Sequence, residues 1–156
     1  MTEDPAEALI AEHVRRLMEV MGLQHIRLDC DFSGGDTLRI SMVVGDEGSM
    51  LIGTQGTTLN ALQHVVRCVL RKQLHDHVRV IVDVNGYRLR RERSLLGFAE
   101  ETARRAQKTG RPVTLSPMSP TDRRTIHAAL AGRKEVVTES TGDGDKRRVV
   151  IRPIFL

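Results

Sequence analysis

The chain has 156 residues, 40% hydrophobic and 28% charged, which suits one ordinary domain or two compact ones and excludes a disordered composition. With no Trp, one Tyr and three Phe, contact with nucleic acid cannot rest on a platform of stacked rings. The formal charge of +4 is polarised: residues 1–85 hold 8 Lys/Arg against 12 Asp/Glu, net −4, whereas residues 86–156 hold 16 against 8, net +8. A basic half points to an anionic partner, nucleic acid first, with a plain solvated face as the alternative.

Met1-Thr2-Glu3-Asp4-Pro5 is acidic and precedes no signal-like apolar run, and no stretch approaches a membrane span, so a soluble, cytoplasmic protein is expected. Apolar residues at Leu9, Ile10, Val14, Leu17, Met18 and Met21 predict a first amphipathic helix ending at Gly22. Residues 25–32 and 37–44 alternate apolar and polar around Ser33-Gly34-Gly35-Asp36, which predicts a β-hairpin. Glu47 to Ile52 reads as a short helix ending at Gly53. From Thr57, Leu59, Leu62, Val65, Val66, Val69 and Leu70 give a second helical stripe, followed by a strand with Val78, Val80, Val82 and Val84 on one face. Cys30 and Cys68 have no CxxC partner and sit in apolar patterns, which predicts buried free thiols in a reducing compartment.

Asn85-Gly86 is a turn. Tyr87 to about Thr109 then predicts a long helix with Leu95, Phe98, Ala99, Thr102, Ala103 and Ala106 on its apolar side, ended by Gly110 and Pro112. Val113-Thr114-Leu115 reads as a short strand. Ser119-Pro120-Thr121-Asp122 supplies a capping Ser, a Pro at the first helical position and a carboxylate three residues after the cap, so a helix carrying Ile126, Ala129 and Leu130 starts there. Residues 136–139 and 148–151 predict a terminal hairpin around Gly142-Asp143-Gly144-Asp145.

Two constellations carry chemistry. Gly53-Thr54-Gln55-Gly56 joins two helices; both glycines allow positive φ and let a phosphate approach without a Cβ in the way, and Thr57-Thr58 opens the next helix with its dipole aimed at the same spot. A glycine pair at this spacing is most often a plain turn, so its surroundings decide. Arg123 and His127 stand four apart on the capped helix and can present a guanidinium and an imidazole to one phosphate; the alternative is a surface Arg beside a packed, hydrogen-bonded His.

The first half, in the order α-β-β-α-α-β around Leu51-Ile52-Gly53-Thr54-Gln55-Gly56, resembles a KH domain of type II. In that family the glycine loop clamps the backbone of about four nucleotides while bases lie in an apolar groove. Such loops usually carry a Lys or Arg between the glycines, where this chain has Thr54 and Gln55. The second half, with Asp122 to His127 on its capped helix, resembles the Arg-xxx-His domain, a nucleic-acid-binding module. The pair in this order is similar to the bacterial Jag, or SpoIIIJ-associated, family, on Val82 to Glu92, Thr109 to Val113, Pro117 to Pro120 and Arg147 to Ile151 as well. That family often carries a further N-terminal domain and linker, which this chain is expected to lack, and it usually has Asn where Ser119 stands.

The expected fold is therefore α+β, with a type II KH-like domain over residues 1–85 and an Arg-xxx-His-type α/β domain with a small sheet over 86–156. The resemblance implies a single-stranded RNA-binding protein, an RNA chaperone or post-transcriptional regulator linked to cell elongation and division, with single-stranded DNA an open alternative. Gly53, Thr54, Gln55, Gly56 and Thr57 would hold backbone, and Arg123 and His127 would contact nucleic acid. Arg88, Arg91, Arg124, Arg147 and Arg148 are candidate phosphate contacts on charge alone. The rival is a protein-interaction adaptor or homodimer acting through the KH-like half. No cofactor, metal or catalytic residue is expected: Gly48 to Thr54 has phosphate-loop spacing but Thr54 replaces the lysine, and His75-Asp76-His77 lies in a turn with no further ligand cluster nearby.

Overall fold

The computed structural model describes residues 5–155, apart from the side chain of Ser33. Two compact units divide between Arg88 and Leu89. The first contains α1 (Pro5–Val20), β1 (Arg27–Ser33), β2 (Thr37–Val43), α2 (Gly48–Ile52), a 3₁₀ turn (Thr54–Gly56), α3 (Thr57–Val69) and β3 (Arg79–Val84). The helix α4 (Tyr87–Thr109) begins in this unit and continues into the second, which adds β4 (Val113–Thr114), α5 (Pro120–Leu130), β5 (Val136–Thr141) and β6 (Arg148–Pro153).

Period-two patterning builds the first sheet, ordered β1-β2-β3. β1 and β2 form the antiparallel hairpin, with Cys30 opposite Ile40, and β2 runs parallel to β3, with Ile40 opposite Val82. Leu38, Ile40 and Met42 alternate into the core and meet Val80, Val82 and Val84. The helices close that face through Ile10, Val14 and Met18 of α1 and Leu59, Leu62 and Val66 of α3, each buried. A parallel β2–β3 pair needs a crossover connection, and α2 and α3 supply it. The glycine loop therefore sits at the midpoint of the crossover.

In the second unit β6 is the central strand, antiparallel to β4 and β5. Its Val149 and Ile151 pack with Leu95, Ala99, Ala103 and Ala106 of α4 and Ile126 and Leu130 of α5. Alanines along α4 let the helix lie close to its neighbours. Ser119 caps α5, accepting a hydrogen bond from the Asp122 N–H at 3.1 Å, with Pro120 in the first turn.

Several apolar residues assigned to core stripes are exposed instead. Leu9 flanks the buried row of α1, Met21 falls in the turn just past its end, Val65 and Val69 lie round the side of α3, and Phe98 is 44% exposed on α4. For the helical residues, the sheet covers a narrower arc of the helix than its apolar residues span. Cys68 is exposed as well, whereas Cys30 is half-buried and its thiol is pushed up to about 11 by burial, with Asp29 and Glu7 adding to the shift. None of the described helices is long and apolar enough to cross a membrane.

Candidate nucleic-acid interface

The loop between α2 and α3 has positive φ at three positions: Gly53 at φ 69°, Gln55 at φ 54° and Gly56 at φ 78°. The glycines answer to internal packing rather than to an open approach path. A Cβ on Gly53 would run into the side chain of Thr58, and one on Gly56 would lie 2.8 Å from the Tyr87 ring. Protein occupies the space that a side chain at either glycine would take. What the loop offers to solvent is its tip, Thr54 and Gln55, both exposed.

Thr57 closes the turn, its hydroxyl donating to the Thr54 carbonyl at 3.0 Å. No side chain caps the N-terminus of α3, so the positive end of a 13-residue helix faces the loop. Asn85 anchors the other end of the segment. Its Oδ1 accepts from the Val44 N–H at 2.9 Å and its Nδ2 donates to the Val44 carbonyl at 3.0 Å, which fixes the entry to α2. Tyr87 seats Gly56. The sequence showed Asn85-Gly86 only as a turn; a strand ending in Asn-Gly-Tyr was the available signal.

The cationic candidates separate into different roles. Arg88 is turned into the first unit: its Nε donates to the Val82 carbonyl at 2.7 Å and an Nη to Gln63 at 2.9 Å, with burial lowering its pKa and Asp83 opposing that shift. Arg91 is bound to Asp122 through Nε at 3.2 Å and Nη2 at 2.8 Å, and the Asp122 side chain is only 8% exposed. Both were candidate phosphate contacts on charge; each has structural work within its own unit. Arg123 donates to the Met118 carbonyl at 2.9 Å. Arg124 is exposed beside an open groove of about 440 Å³ between α4 and α5. Arg91, Arg123 and Arg124 thus gather at the start of α5. Arg147 and Arg148 bond the carbonyls of Gly142 and Lys146 in the β5–β6 turn.

His127 shares the helix with Arg123 but both its ring nitrogens are occupied. Nδ1 lies 2.7 Å from the Thr138 hydroxyl and Nε2 2.8 Å from that of Ser140. A neutral imidazole donates once and accepts once, and each hydroxyl can take either part. The packed, hydrogen-bonded arrangement is the one seen for the imidazole, and the ring ties α5 to β5. Thr138 and Ser140, two apart on one face of the strand, were the missed partners.

Burial, reinforced by Arg123, pulls the His127 pKa below its ordinary 6.5. The unfolded chain therefore takes up a proton first as the pH drops. The stability contributed is complete above about pH 6.5 and is lost as the pH falls from there through the folded value. An NMR titration should place the imidazole midpoint below that of an exposed histidine, and His127→Ala should cost about 1–2 kcal/mol for the two lost hydrogen bonds. A midpoint at or above 6.5 would contradict the neutral tether.

A two-layer module whose glycine loop leads into an uncapped helix, and a second with a basic helix start over a three-stranded sheet, define a two-module α+β protein. The second unit matches the model of the Arg-xxx-His (R-3-H) domain over residues 93–153. The chain is 37% identical over 147 residues to "RNA-binding protein KhpB" of Clostridium symbiosum, covering 93% of this chain and 66% of that one. It is 40% identical over 124 residues to the protein of that name from Lactiplantibacillus plantarum, covering 80% of this chain and 38% of the relative. For the Bacillus subtilis protein of that name the identity is 34% over 111 residues, with 70% and 53% covered. The chain belongs to this family, the Jag family. It spans two thirds or less of the length of these curated relatives.

Proposed function

We propose that the chain is a non-catalytic, cytoplasmic binding protein for single-stranded RNA, with a type II KH module followed by the Arg-xxx-His domain. The observation that carries the reading is the exposed Thr54-Gln55 tip set on the uncapped N-terminus of α3 and held there by Asn85 and Tyr87. A passing phosphate would meet backbone N–H groups and the helix dipole rather than a basic side chain. The acidic balance of residues 1–85 makes that contact modest, so much of the electrostatic attraction falls to the second module, where Arg123, Arg124, Arg147 and Arg148 are the cations for phosphate contact. The relatives' name supports RNA as the ligand, and the family reading adds RNA-chaperone or post-transcriptional work linked to cell elongation and division. Single-stranded DNA offers the same backbone charge.

Affinity for a short unstructured RNA should fall steeply with salt. If about four phosphates are held, a threefold rise in salt weakens binding by roughly twentyfold. Affinity unchanged over that range overturns the reading. A second reading, a protein adaptor or homodimer acting through the KH-like half, is favoured by the exposed Val65 and Val69 on α3. Partners that survive ribonuclease, with no RNA cross-linked to the chain, would favour it.

A further inference from the structure

The far end of α3, away from the glycine loop, carries a second cationic feature. Cys68 lies 12 residues beyond Gly56, about 18 Å along a helix that rises 1.5 Å per residue. There His64, Arg67 and Cys68 are related by spacings of three and four, so they share one side of the helix, and Arg71 follows in the 3₁₀ turn Leu70–Lys72. They line a cavity of about 350 Å³ with His75 of the following loop. Leu74, Val78 and Val80 supply an apolar wall, and Asp76 is the one acidic residue of the lining. Neither guanidinium is tied to another described residue, in contrast to Arg88 and Arg91 in the same protein. The Cys68 thiol lies 3.7 Å from His64 Nε2, and the His75 ring stacks on His77 at 5.6 Å, with His77 in turn 3.5 Å from Asp36.

Two untied guanidinium groups and two imidazoles beside an apolar wall match a doubly charged phosphate joined to a flat organic group. The cavity falls in the size range of small-ligand sites. A phosphomonoester carries close to two charges at neutral pH and three acceptor oxygens, more than the single charge of an internal phosphodiester, and guanidinium forks suit it. We propose that this cavity binds a nucleoside phosphomonoester, presented as the 5′-phosphate end of an RNA strand or as a free nucleotide. As an RNA-end pocket it rests on the RNA-binding reading above.

Cys68 is the reporter. Cys30, half-buried and with its pKa pushed up to about 11, stays protonated at pH 8, so iodoacetamide reads the exposed thiol. On the full chain, saturating adenosine 5′-monophosphate should slow Cys68 alkylation at least fivefold, whereas adenosine should not. Arg67→Gln with Arg71→Gln should abolish the protection without moving the unfolding midpoint, since both side chains are exposed. In a parallel arm, 5′-phosphorylated RNA should bind the wild type about five to ten times more tightly than the same RNA with a 5′-hydroxyl. The double variant should lose that ratio and retain most of its affinity for the hydroxyl form. Protection by the nucleotide with equal binding of both RNAs assigns the pocket to free nucleotides. No protection and a ratio near one overturn the proposal. If the hydroxyl RNA does not bind at all, the RNA-binding reading fails on its own, and the nucleotide arm still decides the pocket.

Discussion

Replacing Thr54 and Gln55 together by Asp is expected to lower affinity for unstructured RNA by on the order of tenfold to a hundredfold. Two carboxylates at the loop tip would face the phosphate backbone, each like-charge contact at about 4 Å costs roughly 1 kcal/mol in a water-like medium, and every 1.4 kcal/mol is tenfold in affinity. Stability should be nearly unchanged. Both side chains are exposed, and Asp tolerates the left-handed backbone of position 55, at φ 54°, at least as well as Gln does. Gly56→Asp is a poorer probe, because its side chain would strike Tyr87 at positive φ and disturb the fold as well as the contact. Titration of a fluorescent RNA together with a thermal melt separates the two effects. Full affinity in the double-aspartate protein would remove the loop from the interface.

The second large effect concerns stability. Asp122→Ala leaves the partly buried Arg91 guanidinium, 27% exposed, without its carboxylate; breaking a fully buried pair from one side costs about 3–5 kcal/mol, and this loss should approach the lower end of that range. Arg91→Ala should be of similar size, since it strands Asp122 at 8% exposure. The double variant should lose less than the two singles combined, because neither charge is then left unpaired. Amide exchange at Val149 and Ile151 of the central strand β6, followed through urea, reports the second unit directly. Single variants that exchange like the wild type would show the bridge to be dispensable.

Local signals in the sequence were reliable where the cause is local. Ser119-Pro120-Thr121-Asp122 encodes its own cap, and the structure shows that hydrogen bond. The alternation in residues 37–44 buries Leu38, Ile40 and Met42 as its period requires. What was hidden depends on partners far along the chain. Nothing near Arg91 announces a carboxylate 31 residues away, and nothing in Arg-xxx-His spacing tells whether the imidazole looks outward or back at Thr138 and Ser140. The α3 stripe was overcounted for a related reason: Val65 and Val69 belong to the apolar arc, but only the position of the sheet decides how much of that arc is covered. In the glycine loop the spacing was legible and the reason for it was not, because the neighbours that demand glycine, Thr58 and Tyr87, are set by the fold.

Tyr87 and Arg88 are the first residues of α4, yet one seats Gly56 and the other bonds Val82 and Gln63. A fragment ending at the Asn85-Gly86 turn would keep every strand and helix of the first unit while losing the floor beneath its loop. The portable module is thus longer than its secondary structure suggests. Any exchange of this unit between proteins, by recombination or by design, has to carry the opening turn of the next helix with it.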